Sequence, residues 1–274
     1  MLTISELYIY PIKSLGGVSL SSAEVTDRGF KYDRRWMLVD AHNRFLTQRE
    51  VAQMALIKVA IEEGGLSLTH PRMEVVKVPF YQEGQDEQLF TIWNDTCKGV
   101  LVKKELDDWF SDALAMKCRL VYMPERTHRQ VDQQYAPDGM ITSFSDAYPF
   151  LTIGQASLDD LNGRLDEPLP MNRFRPNIVF SGGHAFEEDV MHHIRIGNID
   201  FYGVKLCARC VVTTIDQQTA EKAKEPLKTL ASYRSKNKKI MFGQNLIHTG
   251  AGLIRVGDRL EVLSMHTEER FLVG

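Results

Sequence analysis

Four cysteines are the only thiols in 274 residues, and two of them, Cys207 and Cys210, close the run Cys207-Ala-Arg-Cys210. That spacing serves three chemistries: half of a zinc site, a thioredoxin-type redox pair, or one soft thiolate ligand to a metal. A structural zinc site needs four ligands, usually from two such half-sites. Cys97 and Cys118 are not spaced as a second half-site and no His pair flanks them. A thioredoxin-type pair opens a helix after a strand, whereas the β-branched run Val211-Val-Thr-Thr-Ile215 favours a strand. Two readings stay open: a thiolate whose pKa is lowered by Arg209 and which suits a soft metal, and a pair of buried reduced thiols.

Other segments also invite a chemical reading. Residues 184–193 contain His184, His192 and His193, but they do not form the His-Glu-x-x-His pattern and no further ligand follows at helical spacing. They read as a solvated polar loop. Gly182-Gly183 is too short for a phosphate loop and reads as a turn. Residues 221–239 hold seven Lys and Arg against Glu221 and Glu225, a local excess of five positive charges. Such a run is a solvated face or a dock for an acidic partner.

The elements that must position these groups are mostly strands. Trp36–Val39 and Arg44–Thr47 about the turn Asp40-Ala-His-Asn43 read as a hairpin, as do Ala55–Ile61 and Leu66–Thr69 about Glu62-Glu-Gly-Gly65. Leu106, Trp109, Phe110, Ala113 and Leu114 mark one stripe of a covering helix over 104–116. Residues 124–140 are polar and aperiodic, and read as a linker or mobile loop. Phe150–Ile153 and Asn177–Phe180 read as strands, with a helix marked by Leu158, Leu161 and Leu165 between them. Pro226 opens another helix, with Leu227, Leu230 and Tyr233 inward. Residues 254–263 form two short alternating runs about a Gly-Asp turn. Many short strands with scattered helices favour a β-rich α+β, barrel-like fold over a doubly wound sheet.

At about 150 residues per domain the length lies between one domain and two. Hydrophobic residues make up 43% and charged ones 25%, the balance of a globular chain. A net charge of −3 supplies no basic field for non-specific nucleic-acid binding, so no nucleic-acid partner is expected. No run approaches the about 18 apolar residues of a spanning helix, and the N-terminus has no signal-peptide pattern. The expected address is therefore the cytoplasm, without membrane attachment.

Seven collinear segments resemble the MOSC family, named for the C-terminal domain of molybdenum-cofactor sulfurases. They are Tyr10-Pro-Ile-Lys-Ser14, Tyr32-Asp-Arg-Arg-Trp36, Ser145-Asp-Ala-Tyr-Pro-Phe150, Asn172-Arg-Phe-Arg-Pro-Asn-Ile-Val179, Cys207-Ala-Arg-Cys-Val-Val-Thr-Thr-Ile-Asp216, Glu225-Pro-Leu-Lys-Thr-Leu230 and Phe242-Gly-Gln-Asn245. They are most similar to the branch with the amidoxime-reducing component and bacterial reductases of N-hydroxylated bases. The resemblance implies a MOSC-type β-barrel with an associated smaller N-terminal α/β region, divided as 1–123 and 124–274, and a molybdenum-molybdopterin cofactor whose metal takes the Cys210 thiolate. It also implies cofactor contacts at Lys13, Ser14, Arg34, Ser145, Asp146, Tyr148, Arg175, Asn177, Ala208 and Arg209. The implied activity is reduction of hydroxylamines, amidoximes and N-hydroxylated bases to amines or amidines, a detoxifying chemistry.

Three departures shape these expectations. Ala208 stands where relatives often carry a hydroxyl residue, and Met191 where a Trp is common. The chain ends after the barrel strands with no ferredoxin-type cysteine cluster, so electrons are expected from a separate redox protein, with 221–239 as its dock. The match begins almost at Met1, so no anchor segment is expected. A cofactor carrier or sulfur-handling domain, and a non-enzymatic binding module, are the rival readings.

Overall fold

The structure, a computed structural model, describes residues 1–80 and 87–268. Seven strands close into a barrel in the order Phe150–Gly154, Ile178–Ser181, Leu2–Ile9, Arg259–Met265, Met191–Ile196, Ile199–Ala208 and Lys239–Thr249, and the last pairs back onto Phe150–Gly154. Closure removes the free sheet edge. The alternation expected of such strands is clearest in Ile199–Val204, whose odd positions are buried. Ile4, Leu7, Phe150, Phe180, Phe201 and Leu246 fill the interior. Phe150–Gly154 and Ile178–Ser181 are the parallel pair, and the helix Gln155–Asn162 lies in the crossover that a parallel pair requires.

The first strand of the chain is thus a barrel strand, inserted between elements nearly 180 and 260 residues downstream. From it the chain passes into the smaller α/β region. One four-stranded sheet runs Trp36–Val39, Arg119–Tyr122, Asp95–Leu101, Glu87–Ile92, and a three-stranded meander covers Lys58–Glu62, Gly65–His70 and Met73–Pro79. The helix Lys104–Leu114 buries Leu106, Phe110, Ala113 and Leu114 against them, as its stripe predicts. Among the described residues no helix is long and apolar enough to cross a membrane.

Several local expectations are corrected. Arg44–Thr47 forms no strand of its own: Trp36–Val39 pairs with Arg119–Tyr122 on one edge, and on the other the hairpin is reduced to the Val39–Phe45 bridge with the Leu46 N–H donating to Leu38 O and the Asp40 N–H to Arg44 O. Asp40 accepts from the backbone N–H groups of His42 and Arg44, which tightens the turn. The 124–140 segment is no free linker: Arg129–Gln130 pairs with Ile141–Thr142, and Thr127, Arg129 and Val131 are buried. The polar stretch 184–193 is not solvated throughout, since Glu188 and Asp189 are buried and Met191 begins a barrel strand. Asp189 meets the Arg234 guanidinium at 2.5 Å, and Glu188 accepts from Ser157 Oγ at 2.8 Å. Both partners lie too far along the chain for a local pattern to reveal. Val211–Thr214 is a 3-10 turn rather than a strand. The Thr213 and Thr214 hydroxyls donate back to the carbonyls of Cys210 and Val211 at 3.0 and 2.8 Å, which overrides the β-branched preference.

Candidate functional site

All eleven residues singled out from sequence, Lys13, Ser14, Arg34, Ser145, Asp146, Tyr148, Arg175, Asn177, Ala208, Arg209 and Cys210, line one cleft. Lys13 and Ser14 follow the first barrel strand, Arg34 precedes Trp36–Val39, and residues 145–148 precede the strand Phe150–Gly154. Arg175 and Asn177 lead into the strand Ile178–Ser181, while Cys210 leaves Ile199–Ala208.

Three of these positions, Ser14, Arg34 and Arg175, have left-handed backbone with φ of 66°, 48° and 57°. Each such non-glycine residue costs about 1–3 kcal/mol unless its surroundings impose it. Here they do. Gln48 Nε2 donates to Ser14 O at 2.7 Å, Arg34 N donates to Tyr10 O at 2.9 Å, and Arg175 Nη1 reaches Leu15 O at 2.8 Å. Gln48 is itself locked by reciprocal amide bonds of 3.1 and 3.0 Å to Gln217.

The cleft floor carries a dense set of cations. The guanidinium groups of Arg34 and Arg175 sit 4.4 and 4.2 Å from the centre of the Tyr10 ring. Arg34 donates to Asp33 at 2.6 Å and to Asn177 Oδ1 at 3.1 Å. Burial opposes its charge, but the Asp33 carboxylate more than compensates and its pKa is raised. Arg175 forms no ion pair among the described residues, and burial pulls it down to about 10. Burial also lowers Lys13 to about 8, against the pull of Asp146, whose carboxylate it meets at 2.5 Å. The cleft walls oppose the charge of Asp146, although its side chain is open at the mouth, yet Lys13, Arg49 and the Trp93 N–H hold it well below the usual carboxylate range.

The cysteines differ from expectation in one respect. Arg209 does not turn to Cys210; its Nη1 lies 2.9 Å from Cys207 Sγ and its Nη2 donates to Phe174 O at 2.5 Å. Alternating side-chain direction on the extended approach sends Arg209 and its neighbour Cys210 apart. Cys210 stands at the entry of the 3-10 turn, half-buried and lining the cleft, and Cys207 packs against the Leu151, Ile153 and Phe242 cluster. Among the described residues no three His, Cys, Asp or Glu side chains are placed together to hold a metal.

Sequence reasoning missed Thr47, Arg49, Trp93 and Asn245, which line the same cleft. Trp93 occupies the two-residue tip of the hairpin joining Glu87–Ile92 to Asp95–Leu101 at φ 55°, a place that favours Gly, Asn or Asp. A bulky residue at such a tip is the signal that was available. The basic segment is also corrected: Arg234 is fully buried against Asp189, leaving the lysines to carry its charge.

Residues 1–117 match the MOSC N-terminal beta barrel domain and residues 140–261 the MOSC domain. Mitochondrial amidoxime-reducing component 1 of Mus musculus is 34% identical over 280 residues, covering 95% of this chain and 82% of its own. Mitochondrial amidoxime reducing component 2 of Rattus norvegicus is 35% identical, covering 93% and 82%. The molybdenum cofactor sulfurase of Arabidopsis thaliana is 31% identical over 88% of this chain and 32% of its own length. The expected cytoplasmic address is overturned here, because the amidoxime-reducing components to which this chain is similar are named as mitochondrial.

Proposed function

The chain belongs to the MOSC-domain family that includes the amidoxime-reducing components, and from that premise we propose that it is a molybdenum-cofactor-dependent reductase of N-hydroxylated compounds. The supporting observation is the convergence of Lys13, Arg34, Arg175, Arg209 and the Cys210 thiol on one cleft. This donor set fits a phosphorylated, sulfur-ligated metallopterin. The arginines and Lys13 suit phosphate and ring oxygens, Asn177 suits a mixed donor and acceptor edge, and Cys210 offers the soft sulfur that molybdenum takes. The three residues held in left-handed backbone by their neighbours support a cleft whose shape the fold itself imposes.

When bound, the cofactor supplies the two-electron reduction of the N–O bond. The protein's part is to hold it and to keep a mouth open for the substrate. Lys13, with its pKa near 8, is the group beside Asp146 that can hold or release a proton at neutral pH. Electrons come from a separate redox protein, docking on the lysines of 221–239. Molybdenum analysis and amidoxime reduction measured on wild type and Cys210→Ser test the reading. Loss of both in the variant is expected; full molybdenum-dependent activity without the thiol would overturn it. A loaded wild-type protein that reduces no N-hydroxylated compound with a chemical reductant would instead favour the cofactor-handling role for which the sulfurase relative is named.

A further inference from the structure

Of the five cations that line the cleft, four are engaged by protein acceptors: Lys13 by Asp146, Arg34 by Asp33 and Asn177, Arg175 by Leu15 O, and Arg209 by Phe174 O. The fifth, Arg49, makes no side-chain hydrogen bond or ion pair among the described residues. Its guanidinium lies 4.1 Å from the centre of the Trp93 ring, stacked and half-buried at the cleft wall. The platform is itself fixed: the Trp93 N–H donates to Asp146 Oδ1 at 3.2 Å and the Phe45 ring meets it edge-on at 4.8 Å. Trp93 is 39% exposed and its backbone is left-handed, so the fold accepts both an apolar exposure and strain to keep this ring in place.

A guanidinium laid on an aromatic face keeps its in-plane N–H fork free. We propose that Arg49, carried on Trp93, is the cleft's receptor for an oxyanion: a phosphate or carboxylate borne by the bound cofactor or by the substrate. Its fork donates to two oxygens of one such group, and the ring beneath removes the rotamer freedom that a free arginine would lose on binding. The substrate arm rests on the reductase reading; the cofactor arm requires only that the protein carries a phosphorylated group.

The test uses the loaded protein as wild type, Arg49→Gln, Arg49→Lys and Trp93→Phe, and reads two quantities. One is molybdenum and organic phosphate retained per chain after dialysis. The other is the ratio of kcat/KM for a benzamidoxime carrying a para-carboxylate to that for the neutral parent. If the anion belongs to the cofactor, retention falls about tenfold or more in Arg49→Gln; if it belongs to the substrate, retention holds and the ratio falls about ten- to a hundredfold. Arg49→Lys is expected to recover only part of either effect, because a point charge lacks the fork, while Trp93→Phe, which keeps a stacking face, loses less than Arg49→Gln. Unchanged retention together with an unchanged ratio in Arg49→Gln would overturn the proposal. Failure of every protein, wild type included, to reduce either amidoxime would sink the reductase reading and the substrate arm, and leave retention to decide the cofactor arm.

Discussion

Lys13 and Asp146 stand 133 residues apart in the chain and meet at 2.5 Å in the cleft, the lysine buried and the carboxylate open to the mouth. The lysine therefore depends on one solvent-accessible partner. Its native pKa of about 8 lies below the ordinary 10.5, so the folded state gives up this proton first and stability from this group rises with pH between those values. Asp146→Asn removes the partner and lowers the native pKa further. We expect a loss of about 1–2 kcal/mol at pH 7, discounted because the carboxylate is exposed, and a rise in stability that begins below pH 8. Urea unfolding across pH 6–10 checks this; an identical onset in both proteins would contradict it.

Cys207 and Cys210 line the same cleft, but only Cys207 is tied to the Arg209 guanidinium. Arg209 keeps Phe174 O when Cys207 is changed. Cys207→Ser should therefore retain its molybdenum and remain within a few-fold of wild-type turnover, beside a Cys210→Ser protein that loses both. Equal loss in the two variants would mean that both sulfurs serve the metal.

The buried amides of Gln48 and Gln217 bond each other reciprocally, and Gln48 also holds Ser14 O. Replacing Gln217 by Leu strands a buried polar group and should cost about 1–3 kcal/mol, part of which returns when Gln48 is made Leu as well. Cofactor retention should not return with it, because Ser14 then loses the donor that helps to fix its left-handed backbone at φ 66°. Stability and retention measured on both single variants and the double separate the two effects. Recovery of both together would show that Gln48 has no part in shaping the cleft.

Those amides also mark where the sequence stops being readable. The strand at Phe150–Gly154 and the helix at Lys104–Leu114 follow from apolar spacing, because each buries one face whatever its partners are. The eleven residues expected at the site come from collinear motifs, and the fold brings them to one cleft. What spacing cannot reveal is pairing at a distance. Arg234 sits in a lysine-rich run yet is buried by Asp189, and Glu188 sits in a polar run yet is buried by Ser157. Val211–Thr214 turned helical because its threonine hydroxyls bonded their own backbone, a local competition that β propensity does not register.

Glu188 gives a pH prediction of opposite sign to Lys13. Burial, reinforced by the Asp189 charge, raises its carboxyl to about 8 from the ordinary 4.5. Between those values the native state keeps a proton that the unfolded chain has lost, so stability from this group is complete below pH 4.5 and falls as pH rises, by at most about 1.4 kcal/mol per pH unit. Glu188→Gln keeps an acceptor for Ser157 and has no charge to lose. Its stability curve should be flatter than that of wild type over pH 5–8, with the greater advantage at the alkaline end. The same slope in both proteins would show that Glu188 ionises without cost.

The lysines of 221–239 supply the last prediction. Lys224, Lys228 and Lys239 are exposed, and Lys222 Nζ reaches Arg49 O at 3.4 Å, which places the start of this segment beside the cleft wall. Reversing Lys224, Lys228 and Lys239 to Glu changes the field met by an acidic redox protein while leaving the cleft residues untouched. Reduction by such a protein should slow about ten- to a hundredfold at low ionic strength, and the gap should close as salt screens it. Molybdenum content and turnover with a small chemical reductant should stay at wild-type values. Arg234 must be left out of the set, because reversing it would put a second carboxylate beside Asp189 in the protein interior and unfold the chain rather than probe its surface. A salt-independent slowing, or none, would move the electron entry to another face.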